Sequence, residues 1–172
     1  MHRLAVLACL LVASVCLSSG SAAAKKLPAG VSLEEFTDLL KRAAGPDVQA
    51  GVGIGGFVAK VRGVDVGWIE GKVEGKAAET LVGEAIDLMK IACDESTLQL
   101  SAITRQVLDG VRLLRQSFSC RVLGPITQYN EALVAEDGDQ FQIFYNGGLV
   151  EQRDAIAKVG DDIVGVLVAT YR

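Results

Sequence analysis

The chain has 172 residues, a length that suits a single domain. Its formal net charge is −4 at pH 7, and an acidic chain is a poor candidate for binding nucleic acid or an anionic membrane surface. It contains one histidine and four cysteines, which leaves little for metal sites or catalytic groups built on several histidines.

The N-terminus has the three-part form of a secretory signal peptide. A short basic start, Met1 to Arg3, precedes a largely apolar run of 14 residues from Leu4 to Leu17, and small residues follow up to Ala24. The apolar run is shorter than the roughly 20 residues that a membrane-spanning helix needs. We therefore predict that residues 1–23 are a signal peptide, that residues 24–172 form the mature domain, and that the protein is secreted, extracellular and without a membrane span.

Removal of this leader would change the chemistry of the remaining chain. Cys9 and Cys16 would leave with it, and so would His2, the one histidine. Loss of Arg3 would take the formal charge from −4 to −5. Without histidine, the Ser-His-Asp and Cys-His arrangements and histidine-dependent metal sites are excluded. We predict that the mature protein is not an enzyme and has no catalytic residue, no cofactor and no metal.

The mature part opens on a helix signal. Ser32 and Glu35 have the S-x-x-E form of a capping box, which satisfies unpaired amides at the start of a helix. Apolar residues then follow at helical spacing, and Gly45-Pro46 is a typical stop signal. The residues of the apolar side are Leu33, Phe36, Leu39, Leu40 and Ala43.

The glycine-rich stretch from Asp47 to Lys76 has two interpretations. Apolar residues recur at spacings of three and four, which is typical of a helix. They are Ile54, Phe57, Val61, Val64 and Trp68. Glycine or alanine also recurs every four residues from Gly51 to Gly75, which would form a ridge where another backbone approaches closely. The alternative is a set of short valine-rich strands with glycine turns, such as residues 59–66. The spacing favours the helix.

The next stretch predicts two further helices. The first runs from Ala77 to Ala92. The second runs from Ser96 to Ser119, where Ser96 and Gln99 have the S-x-x-Q form of a capping box. Its apolar residues recur at spacings of three and four. They are Leu100, Ile103, Val107, Val111, Leu114 and Phe118.

Cys93 and Cys120 flank the second of these helices. Two cysteines in an exported chain favour a disulfide. A continuous helix over residues 96–119 would be about 36 Å long, whereas a disulfide needs Cα atoms within about 7 Å. The bond therefore requires a break, and Asp109-Gly110 is a turn dipeptide. We predict an intrachain Cys93–Cys120 disulfide, with free thiols or an intermolecular bridge as the alternatives.

The C-terminal third completes an all-helical prediction. Gly124-Pro125 resembles a helix start, with proline at the first helical position, and that helix would extend to about Ala135. Apolar residues at helical spacing predict a last helix from Leu149 to Tyr171. The expected fold is all-α, a compact single-domain bundle of about five to seven helices with one disulfide.

Three functions are compatible with these features. The first is a secreted, non-enzymatic binding protein that acts through protein–protein contacts, as an inhibitor, effector or immune modulator. Arg105, Arg112 and Arg115 would then form a protein-contact patch, because arginine is favoured at interfaces. The second is an extracellular carrier of an apolar small molecule held between helices. Its basis is the 50% hydrophobic composition and the expectation of a cavity. The third is a structural or storage protein that self-associates through the glycine ridge.

Overall fold

The computed structural model describes residues 27–28, 30–69 and 74–171. Within these ranges the chain forms one antiparallel sheet of eight strands with α-helices packed on both faces. The all-α prediction is therefore wrong, since the sheet is the largest element of the fold. The predicted signal peptide, residues 1–23, lies outside the described residues.

The elements follow one another in a helix–strands–helix–strands–helix order. The helices are α1 (Leu33–Ala44), α2 (Ala78–Met89) and α3 (Arg153–Thr170). The first three strands are β1 (Gln49–Gly53), β2 (Gly56–Val61) and β3 (Val64–Ile69). The others are β4 (Gln99–Leu100), β5 (Thr104–Leu108), β6 (Val111–Leu123), β7 (Ile126–Asp137) and β8 (Gln140–Leu149). Across the sheet the order is β1-β2-β3-β8-β7-β6, and the short strands β4 and β5 both pair with β6 at the far edge.

The N-terminal helix is confirmed together with its cap. Ser32 Oγ accepts a hydrogen bond from the Glu35 amide at 3.1 Å, and the Glu35 carboxylate accepts one from the Ser32 amide at 2.7 Å. These backbone and hydroxyl hydrogen bonds lower the pKa of the Glu35 carboxyl. The chain leaves the helix at Gly45, whose φ of +96° suits glycine.

The glycine-rich stretch is a three-stranded meander, and the helix predicted there is wrong. Strands β1, β2 and β3 pair in sequence, and Gly55 and Gly63 adopt φ values of +77° and +80° in the connecting turns. Val64, Val66 and Trp68 are buried at alternate positions, which is the period of a strand. A four-residue glycine repeat equals two strand periods as well as about one helical turn, so it does not distinguish the two structures.

The stretch between the cysteines is also sheet. The helix predicted over residues 96–119 is wrong, because β4, β5 and most of β6 occupy it. Asp109-Gly110 makes the turn between β5 and β6, with φ values of 49° and 83°, so the predicted break is present. Gly124-Pro125 is the tip of the β6–β7 hairpin rather than a helix start. The helices predicted over residues 77–92 and 149–171 are confirmed as α2 and α3.

Each face of the sheet carries its own core. Helices α1 and α3 cover what we call the α1/α3 face, where α3 contributes Ile156, Ile163 and Leu167 to the buried cluster. Helix α2 lies on the opposite face, the α2 face, against residues of β6, β7 and β8. On the α1/α3 face Trp68 donates its indole N–H to Gln142 Oε1 at 3.0 Å. A buried indole thus keeps its hydrogen bond.

Gly160 lets α3 approach the sheet closely. A Cβ there would lie 2.7 Å from Asn146 Nδ2, whereas a Cβ at Gly165, on the same helix, would meet nothing within 4 Å. We expect Gly160→Ala to lower the free energy of unfolding by about 1–2 kcal/mol, because overpacking outweighs the helix propensity of alanine. Gly165→Ala should raise it by up to about 1 kcal/mol. Urea unfolding of both variants measures this, and equal effects would contradict the close packing.

Candidate ligand-binding groove

Helix α2 covers only part of its face of the sheet. Within the described residues it makes most of its sheet contacts with β6, β7 and β8, and no described helix packs closely on the half of that face formed by β1, β2 and β3. A groove of about 410 Å³ lies between the end of α2 and this uncovered half. Its lining comes from the β1–β2 hairpin, the end of α2, and strands β3, β7 and β8. The lining residues are Ile54, Val58, Asp65, Leu88, Met89, Ile91, Gln128, Asn130, Tyr145, Gly147 and Gly148.

The walls of the groove are apolar and unusually exposed. Ile54 in the β1–β2 turn is 92% exposed, and Ile91 just after α2 is 79% exposed. Val58, Leu88 and Met89 continue the same surface into the groove. Single exposed apolar residues are ordinary on proteins, but several around one concavity mark a site where another molecule binds. This surface is therefore the strongest binding candidate in the described part of the chain.

Polar side chains from neighbouring strands form the floor. Gln128 and Asn130 lie two residues apart on β7, and Asn130 faces Gly147 of β8 across the sheet. A Cβ at position 147 would overlap the Asn130 side chain, so glycine makes room for it. Asn130 is 8% exposed, and within the described ranges its buried Nδ2 has no hydrogen-bond partner.

Tyr145 stands beside these amides on β8. It pairs with Gly67 of β3, and its ring lies directly over that glycine, so that a Cβ at position 67 would overlap the ring. Neither the Tyr145 hydroxyl nor the Gln128 amide hydrogen-bonds to another side chain or backbone group among the residues that the structure describes. Three polar side chains of the floor thus keep hydrogen-bonding capacity for something else.

Among the described lining residues one side chain is charged, that of Asp65, and it is paired. Asp65 on β3 lies 2.7 Å from Lys60 Nζ on β2, and both side chains are largely exposed. Burial raises the pKa of the Tyr145 phenol, and the charge of Asp65 raises it further. The phenol therefore stays protonated at neutral pH and can donate a hydrogen bond.

The predicted disulfide is confirmed, and it lies next to the groove. Cys93 and Cys120 are bonded within the chain, with their Cα atoms 5.6 Å apart. Cys93 directly follows the short 3-10 turn that carries Ile91. Cys120 is on β6, paired with Gln128 of the floor. The bond thus attaches the Ile91 wall to the strand beside the floor.

The three predicted contact arginines do not form one patch. Arg105 pairs with Glu79 of α2 at 3.3 Å, and Arg112 pairs with Glu136 at 2.5 Å, both on the α2 face. Arg115 lies on the α1/α3 face, where its Nη2 is 2.5 Å from Asp161 of α3. Each guanidinium has a carboxylate partner within the chain. Their role in protein contacts stays a prediction.

Sequence reasoning missed every residue of the groove. Its positions come from five elements that are distant in the chain, and most of its strands lie where helices were expected. One signal was present on β7, where Gln128 and Asn130 alternate in step with the apolar Ala132 and Val134. Alternate residues of a strand lie on the same face of the sheet. Where they change from apolar to polar along one strand, that end of the strand lies outside the core.

Other site types find no support within residues 27–28, 30–69 and 74–171. These ranges hold no group of three or more His, Cys, Asp or Glu residues able to bind a metal ion. None of their helices combines the length and apolarity that crossing a membrane requires. No known family model and no curated protein matches this sequence.

Proposed function

We propose that this protein is a secreted, non-enzymatic carrier that binds an apolar small molecule in the groove on the α2 face. The observation that carries the proposal is the groove itself, whose volume is about 410 Å³. Small-molecule sites typically enclose about 300–1,000 Å³, with mostly apolar walls and a few polar groups that orient the ligand. Here Ile54 and Ile91 belong to the apolar walls, and the amides of Gln128 and Asn130 are the polar groups.

The groove supports a carrier better than the arginines support a protein-contact surface. Exposed Ile54 and Ile91 would gain from burial, at about 25 cal/mol per Å² of apolar area removed from water. The arginines already have carboxylate partners, so a protein partner would have to compete with existing ion pairs. The protein-contact function through these arginines stays a prediction.

The secretory part of the proposal rests on two features of different kind. The first is the leader-like composition of residues 1–23. The second is the disulfide, which persists in oxidising compartments and is rare in the cytosol. Absence of histidine from residues 24–172 supports the non-enzymatic part, because the commonest general base is missing.

Ligand extraction and a matched pair of variants test the carrier function. Mass spectrometry of an organic extract of the natural protein should reveal a bound apolar compound. With purified protein, an apolar fluorescent probe should bind with saturation. Ile91→Ser should weaken that binding by about tenfold, because part of an isoleucine side chain loses its apolar contact.

Leu123→Ser is the matched control. Leu123 has a similar exposure of 75% but lies at the tip of the β6–β7 hairpin, outside the groove lining. It should leave probe binding unchanged. Equal effects of the two substitutions, or a probe that does not saturate, would rule out the groove as the binding site.

A further inference from the structure

The described lining of the groove offers hydrogen bonds without an unpaired charge, and this selects among ligands. This step rests on the proposed carrier function and concerns the polar end of the ligand. Asp65 is the charged residue of the lining, and its carboxylate is already bound to Lys60 at 2.7 Å. The other polar groups of the floor are the neutral amides of Gln128 and Asn130 and the phenol of Tyr145.

A charged head group would fit this floor poorly. A carboxylate or phosphate would enter beside Asp65 and find no unpaired cation in the described lining, and desolvating an uncompensated charge is costly. A cationic head would have to displace the Lys60 ammonium from Asp65. An anion would lose its water without gaining a partner in the described lining, and a cation would gain Asp65 only by competing with Lys60.

A neutral polar head meets the unused groups directly. Gln128 and Tyr145 are partly buried, so their amide and hydroxyl groups line the groove while still reachable from it. Asn130 lines the same floor, but its unpaired Nδ2 is buried, so Gln128 and Tyr145 are the groups that a ligand reaches. A hydroxyl or carbonyl oxygen accepts a hydrogen bond from either of them.

We infer that the groove binds neutral single-chain amphipaths that end in a hydroxyl or carbonyl group, such as a long-chain alcohol. The apolar chain lies against Leu88, Met89 and Ile91. The polar head reaches the floor formed by Gln128 and Tyr145. The groove thus discriminates by the charge of the head and tolerates variation in the chain.

A series of ligands with one chain and different heads tests this inference on the full-length mature protein. Dodecanol, laurate and dodecyltrimethylammonium are titrated against a bound apolar fluorescent probe, below their micellar concentrations. Dodecanol should displace the probe at a concentration at least about tenfold lower than either charged compound. Laurate displacing it as well as dodecanol would overturn the head-group inference and leave the carrier function standing. Failure of all three would overturn both.

Two variants test whether the Tyr145 hydroxyl accounts for the preference for a neutral polar head. Tyr145→Phe should weaken dodecanol binding by roughly threefold to tenfold, the usual effect of losing one hydrogen bond, and should weaken dodecane binding much less. Tyr171→Phe, at the end of α3 and outside the groove, is the matched control and should change neither. If Tyr145→Phe weakens dodecane as much as dodecanol, the hydroxyl does not hold the head.

The third variant removes the Asp65 carboxylate and tests whether charge excludes an anionic head group. Asp65→Asn leaves the Lys60 ammonium without its partner at the edge of the groove. Laurate should then bind several-fold more tightly than it does to the parent protein, and its affinity should rise relative to that of dodecanol. Laurate binding that remains equally weak would show that charge does not exclude it, and the inference would be wrong.

Discussion

Replacing both cysteines by Cys93→Ala and Cys120→Ala should lower the free energy of unfolding by about 3–4 kcal/mol. The disulfide closes a loop with a sequence separation of 27 residues, and cross-linking a loop of this length removes conformational entropy from the unfolded chain. Alanine is the appropriate replacement, because Cys120 is fully buried and a serine hydroxyl there would need a hydrogen-bond partner. Urea unfolding of the oxidised protein and the double variant measures the difference.

The same substitution should weaken ligand binding, because the bond holds the Ile91 wall beside β6. With the bond gone, no crosslink joins the 3-10 turn that carries Ile91 (Lys90–Ala92) to β6. A thiol reductant provides the control, since it should reproduce both effects in the parent protein and change nothing in the double variant. Stability within about 0.5 kcal/mol of the parent would contradict the role of the bond.

The helices could be predicted from the sequence because each carries local signals. Ser32 and Glu35 mark the start of α1 through contacts made within one turn, and Gly45 marks its end. In α2 and α3 the apolar residues recur at helical spacing over several turns. Local signals of this kind do not depend on the rest of the fold.

The strands were misassigned because a spacing of four residues suits both structures. Leu114 and Phe118 are four apart, and both are buried on the same face of β6 as they would be on one face of a helix. The β-branched and glycine content of β1 to β3 was the better guide there. Weighting it above the spacing would have favoured the meander.

The disulfide could be predicted from the sequence, whereas the groove could not. A continuous helix is too long for the Cα separation of a disulfide, so the bond required a turn between Cys93 and Cys120. Asp109-Gly110 forms that turn. The groove depends instead on the order of strands in the sheet, which places β3 next to β8 although 70 or more residues separate them. Pairings at such sequence distance leave no local pattern.

Gly67→Ala should have the largest effect on the groove. The Tyr145 ring lies on Gly67 across the β3–β8 pair, and the added methyl group would occupy the place of the ring. Packing of an aromatic side chain over a glycine on a neighbouring strand stabilises a sheet, so its loss destabilises the fold. We expect a decrease of about 1–3 kcal/mol in the free energy of unfolding.

The displaced ring also has consequences for binding. Backbone lies below the ring, and the groove is the open space beside it, so the ring should move into the volume that the ligand would occupy. Binding of an apolar probe should therefore weaken by more than about tenfold. Gly51→Ala is the matched control, since an added Cβ on β1 would meet nothing within 4 Å and should alter neither stability nor binding.

A double-mutant cycle separates steric displacement from a general loss of stability. If the Gly67 methyl group acts by expelling the Tyr145 ring, then Tyr145→Ala should remove most of the cost of Gly67→Ala, giving a coupling energy of about 1 kcal/mol or more. Additive effects would mean that Gly67→Ala acts elsewhere in the sheet. In the coupled case the double variant should also recover apolar probe binding while losing the preference for a hydroxyl head, because the groove reopens without its phenol.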